Sequence, residues 1–145
     1  MNLSAHFTLE VFVHSEIAER RTIDNTPDAD SMENLLILAG HLEDVRALLG
    51  HPILISSGYR SPKLNTVIGG STNSAHCRGE AADFICPAFG TPREIALAIA
   101  ASDLKFDQLI WEGTWVHFGI GEKMRQELLT ATFEDGKASY TNGIA

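Results

Sequence analysis

No apolar run in the chain approaches the roughly 20 residues that a membrane-spanning helix needs, so an integral membrane protein of that kind is not expected. Cysteine is equally scarce, with only Cys77 and Cys86 and no Cys-x-x-Cys pair among 145 residues. A disulfide framework and a cysteine-based zinc knuckle are therefore excluded. Cys77 adjoins His76, but in an extended segment its side chain would point away from its neighbour's, which sets it aside as a partner ligand. Basic residues number 11 against 19 acidic ones, giving a net charge of −8, and they are scattered. That argues against nucleic acid as a partner, because phosphate binding needs a clustered positive face. The stretch Met1 to Glu10 lacks a basic segment followed by an apolar one, so no secretory signal is expected and synthesis in the cytoplasm is.

What remains is the composition of an ordinary globular protein, 44% hydrophobic and 21% charged. The length suits one domain over residues 1–145, expected to be a monomer, without repeats or linkers. Thr8 is placed to cap a helix from Leu9 to about Glu19, ended by the turn chemistry of Asp24 to Asp28. A long amphipathic helix is expected from about Ser31 to Leu49, with Leu35, Leu38, Leu42, Val45 and Leu49 as its stripe and Gly50 as its stop. Ile53-Leu54-Ile55 opens a buried strand running toward Tyr59, and Ser56 to Ser74 has the composition of a long shaped loop. A second strand is expected over Ala81 to Cys86, and Thr91-Pro92-Arg93-Glu94 begins a helix to about Ala101. Gln108 to Glu112 and Trp115 to Ile120 form a hairpin whose Gly113-Thr114 loop suits a type II′ turn. A short helix near Glu122 to Leu129 and a hairpin about Asp135-Gly136 complete the expectation: an α+β domain with helices packed against an antiparallel sheet.

Chemistry concentrates in Ser74 to Asp83 and Trp115 to His117. His76, Asp83 and His117 offer two imidazoles and one carboxylate, a donor set that suits Zn2+. Three protein ligands leave a fourth position for water, as catalytic sites do, whereas structural sites are normally closed by four. Any single histidine is more often an ordinary hydrogen-bonded residue than a ligand. Asp83 resists that reading, since it lies in an otherwise apolar strand where a carboxylate needs a cation or several donors. If Gly113-Thr114 is a two-residue turn, Glu112 faces Trp115 and Ile110 faces His117. Glu112, Trp115 and His117 then share one face, with Glu112 and His117 diagonal at roughly 7–8 Å between backbones. That makes Glu112 the candidate general base, with Asp107 and Glu80 as fallbacks.

Three blocks in this order carry a resemblance: Ser56-Ser57-Gly58-Tyr59-Arg60-Ser61, then Ser-x-His-x-x-Gly-x-Ala-x-Asp over Ser74 to Asp83, then Trp115-Val116-His117. Together they resemble the zinc D-alanyl-D-alanine carboxypeptidases and related peptidoglycan endopeptidases, including phage endolysins that cut L-alanyl-D-glutamate bonds. The likeness runs from about Leu3 to Ile120 and is closest to small single-domain phage forms. It implies a Hedgehog-like α+β fold, His76, Asp83 and His117 as zinc ligands, and Arg60 supporting a substrate carbonyl or carboxylate. It further implies that Ser74 faces the site and that Trp115 contacts the substrate, a peptidoglycan stem peptide reached after release from the cell. Many members carry an acid three residues before the last histidine; here that position is Thr114, and Glu112 stands five before. The displaced acid keeps a second expectation in play, a zinc-stabilised module that binds cell wall or sits in a virion without hydrolysing anything. A third, a core with no metal at all, is the blandest.

Overall fold

The computed structural model describes residues 1–145. Its framework is set by two capped helices. The Asp28 carboxylate accepts the Ser31 N–H at 2.8 Å and opens α3 (Ala29–Leu49), which stops where Gly50 turns left-handed at φ +70°. The five stripe residues from Leu35 to Leu49 are all buried. Thr91 and Glu94 exchange side-chain and backbone bonds in a capping box at the start of α5 (Pro92–Ala100), which buries Ile95, Ala96 and Ile99. Both helices lie over one face of a six-stranded sheet, and Phe84, Leu109, Val116 and Phe118 from that face complete the main core.

The strands are β1 (Leu54–Ser57), β2 (Ala81–Ile85), β3 (Gln108–Trp111), β4 (Val116–Gly119), β5 (Glu127–Glu134) and β6 (Lys137–Asn142), in the order β1-β2-β4-β3-β5-β6. All neighbours run antiparallel except β3 and β5, so the sheet is mixed where a wholly antiparallel one was expected. The parallel pair arises because the chain leaves β4 and crosses the end of β3 before β5 begins. That crossing replaces the helix expected over Glu122 to Leu129. Met124 and Gln126 take positive φ, the Gln126 N–H binds Phe106 O, and Arg125 clasps Asp107 with two 2.9 Å bonds. A helix cannot form there, because its backbone donors are spent on the strand it crosses.

Four other expectations change in detail. The first helix divides into α1 (Leu9–Val13) and α2 (Glu16–Arg21), with Ser15 capping the second through the Ala18 N–H. Thr8 precedes α1 but makes no side-chain cap. The strand after Pro52 is an edge strand, not a buried one, and Leu54 is 53% exposed. Within the expected loop Ser56 to Ser74 lies α4 (Pro62–Val67), capped by Ser61 and carrying proline at its first position. Finally, Ala75–Arg78 is a turn of 3-10 helix, where an extended segment was expected beside Cys77. The terminal hairpin does form, with Asp135 and Gly136 both at positive φ between β5 and β6.

Candidate metal centre

The face of the sheet opposite the helices carries the site, and strand register puts its parts in rows. Asp83 on β2 pairs with His117 on β4, which pairs with Ile110 on β3. Directly paired residues share a face, so the carboxylate and the imidazole stand side by side. The Asp83 Oδ1 to His117 Nδ1 distance is 3.1 Å.

His76 arrives from outside the sheet. Ser74 opens the 3-10 turn by accepting the His76 N–H at 3.2 Å, and Gly79 closes it at φ +73°. A side chain on Gly79 would meet Ser31 O at 2.5 Å, so glycine is required both by conformation and by packing on α3. The turn delivers His76 Nε2 to 3.4 Å from Asp83 Oδ1. Its other nitrogen, Nδ1, donates to the Gly58 carbonyl at 2.7 Å, which fixes ring orientation and tautomer. Gly58 can be there only without a side chain, since a Cβ would lie 2.5 Å from Phe12 O.

That hydrogen bond has a consequence for the donor set. With the proton on Nδ1, the Nε2 lone pair points at a carboxylate oxygen, and two acceptors face each other inside the protein. Such a contact needs a cation between the groups. Burial pushes the His76 pKa down, outweighing the pull of Asp83. The three candidate donor atoms all lie within 4.8 Å of one another. Two donors sharing a tetrahedral zinc at about 2.0–2.1 Å stand roughly 3.3 Å apart, close to the 3.1 and 3.4 Å separations seen. His76, Asp83 and His117 thus fit a metal by chemistry and by distance.

Asp83 is poised as the anionic member. Burial pushes its carboxyl up, but the two imidazoles and their hydrogen bonds more than reverse this and hold it well below the usual range. Arg60 adds a partner on the far oxygen, with Nη2 3.7 Å from Oδ2. Its guanidinium is held by Asn65 Oδ1 at 3.1 Å and by the Ser57 hydroxyl at 3.4 Å, and it still borders the cleft. Neither Asn65 nor Ser57 was singled out from sequence; the Ser61-Pro62 helix start is the signal that would have placed Asn65.

Glu112 directly follows β3, opposite Trp115, whose carbonyl accepts its N–H at 3.0 Å. The loop differs from the expected type II′ turn: Thr114 N–H binds Glu112 O, an i→i+2 bond around Gly113 at φ +81°, which makes it a γ-turn. The register is unaffected. Glu112 Oε2 lies 3.7 Å from His117 Nδ1, while Thr114 is exposed. Burial first, and the Asp83 charge second, push the Glu112 carboxyl up against the opposing pull of His117. The fallback acids are engaged elsewhere, Asp107 with Arg125 and Glu80 with Arg78 at 2.6 Å. Trp115 borders the cleft with a buried indole N–H that has no partner in the chain. Cys77, half-buried beside His76, stays outside the donor group.

The three donors line one cleft of about 580 Å³, which Arg60, Ser74, Glu112 and Trp115 also border. It is large enough for a small peptide segment. A sequence profile of the peptidase M15 family matches residues 5–118, which takes in every block of the site. The zinc D-Ala-D-Ala carboxypeptidase of Streptomyces albus G is 34% identical over 86 residues, 59% of this chain but 32% of that protein. The matched segment therefore spans about a third of the relative's length. With the profile covering most of its residues and the donor group assembled inside the matched region, the chain belongs to the peptidase M15 family.

Proposed function

We propose that this chain is a zinc peptidase that hydrolyses a peptide bond in the stem peptides of bacterial peptidoglycan. The observation that carries the reading is an open three-donor centre with a second, buried carboxylate, Glu112, 3.7 Å from one donor. Zinc held by His76, Asp83 and His117 would supply Lewis acidity, polarising the scissile carbonyl and acidifying the attacking water. Glu112 takes the proton released as water adds to the carbonyl carbon, and returns it to the amide nitrogen as the C–N bond breaks. Its raised pKa suits both halves of that transfer. Arg60 pairs with the far oxygen of Asp83 and offers its remaining N–H groups to the oxygen on which negative charge develops. The family relation and the name of the Streptomyces relative support peptidoglycan as the substrate class.

The alternative of a wall-binding module without hydrolysis draws its support from Thr114, while a carboxylate 3.7 Å from His117 supports the hydrolytic reading. The finer reading is endolysin-like: a monomeric phage product, made in the cytoplasm and acting on the wall after release. The zinc-loaded protein is expected to release free amino groups from purified sacculi, and mass spectrometry of the muropeptides would separate carboxypeptidase from endopeptidase cleavage. Glu112→Gln should retain one zinc per chain while losing roughly 10²–10⁴-fold in kcat. No amine release by the zinc-loaded wild type would end the peptidase reading; full activity of Glu112→Gln would end the assignment of the base.

A further inference from the structure

One wall of the cleft comes from the β5–β6 hairpin, which lies beyond the residues matched to the family. The register shows how it gets there. Ile110 pairs with Leu129 on β5, so the row that begins with Asp83 and His117 continues across the hairpin. Toward the Gly113 turn, strand alternation puts Glu112 on the face of Ile110 and Ala131 on that of Leu129, and Ala131 pairs directly with Tyr140. Tyr140 is two strands from Glu112, about 10 Å at the usual strand spacing. A phenol reaches most of that distance, and the residue between them is only an alanine. Tyr140 indeed borders the cleft together with Ile110 and Leu129. Phe133, from the same hairpin, packs on Trp115 with ring centroids 6.3 Å apart, which fixes the hairpin to the catalytic side.

We propose that Tyr140 is a substrate-positioning residue: its phenol O–H donates to a carbonyl or carboxylate oxygen of the bound peptide, above an apolar shelf of Ile110 and Leu129 that takes a small apolar side chain beside the scissile bond. The proposal rests on the peptidase reading for the identity of the ligand. Arg60 enters from the β1 side of the metal centre and Tyr140 from the β6 side, so a peptide laid across the site is held at both ends. Tyr140 is 53% exposed, which leaves it accessible to a ligand in the cleft. Burial, then the charges of Glu112 and Asp83, push its phenol above the ordinary value, so it remains a donor at any pH the enzyme would meet.

The test is Tyr140→Phe in the zinc-loaded full chain, with soluble muropeptides from purified sacculi as substrate. Loss of one neutral hydrogen bond should raise KM roughly 3- to 10-fold and leave kcat within about twofold. Ser139→Ala, on the opposite face of β6, should change neither. An unaltered KM would overturn the proposal, and so would a fall in kcat with KM unchanged. If the wild type cleaves nothing, the peptidase reading fails by itself, and Tyr140 is judged by equilibrium binding of the same muropeptides. Weaker binding by Tyr140→Phe than by wild type then supports the positioning role; equal binding overturns it.

Discussion

Replacing Gly58 by alanine isolates the contribution of a carbonyl that touches neither metal nor substrate. The added methyl would sit 2.5 Å from Phe12 O, 2.8 Å from Phe12 Cα and 3.0 Å from Phe12 C, all backbone atoms of α1. Ordinary carbon–oxygen contact needs about 0.7 Å more than the shortest of these, by the spacing of well-packed atoms. The backbone at Gly58 does not occupy the left-handed region, so steric overlap is the whole effect. Overpacking of this kind costs about 1–3 kcal/mol in stability. The same displacement pulls Gly58 O away from His76 Nδ1, whose 2.7 Å bond orients the Nε2 lone pair. Loss of such outer-shell support typically lowers metal affinity 10- to 100-fold. Competition with a chelating indicator would measure the zinc constant, and thermal unfolding of the metal-free protein would measure the packing cost separately. At saturating zinc, kcat should return close to the wild-type value. A zinc affinity within twofold of wild type would refute the orienting role of Gly58.

Removing zinc by chelation should lower the melting temperature, because only the folded chain brings the three donors together. At free zinc about 1,000-fold above Kd the stabilisation is about 4 kcal/mol, roughly 8–16 °C for a domain of this size, and an unchanged melting curve would contradict a bound metal. Leu42→Ala, at a fully buried position of α3, should cost about 2–5 kcal/mol by denaturant titration and leave zinc affinity alone. The Glu43 carboxyl accepts from Ser4 and His6; burial pushes its pKa up, but these bonds outweigh burial and hold it below the ordinary 4.5. Its folded-state pKa is thus depressed, so the stabilisation is present above about pH 4.5 and lost as pH falls through the lower, folded value. Protection of the His6 amide, its exchange rate taken relative to the intrinsic rate at each pH, should fall on acidification over that range, and Glu43→Gln should remove that pH dependence.

Much of the metal centre was legible because its rules are local. The apolar surroundings of Asp83 and the two-residue separation of Glu112 from Trp115 lie within a few residues of the groups they position, whereas the 3-10 turn that carries His76 was not read from the sequence. Strand alternation then carries Glu112 onto the face of His117 whichever tight turn closes the hairpin, which is why the γ-turn altered nothing. The lost helix at Glu122 failed for the opposite reason. Its local pattern was helical, but the donors it would have used are claimed by Phe106 and Asp107, some 18 to 20 residues earlier in the chain.

By itself the sequence determined the candidate donor set, the Gly50 stop of α3, the Thr91 start of α5, and the register of the β3–β4 hairpin, since each depends on side-chain chemistry and backbone geometry over short spans. Tertiary structure alone decided that Gly58 O meets His76, that Arg60 flanks Asp83, and that the β5–β6 hairpin lies parallel beside β3 and brings Tyr140 to the cleft. Those contacts join segments whose separation along the chain places no constraint on them. They form because long-range strand pairing and burial on α1 and α3 bring those segments together.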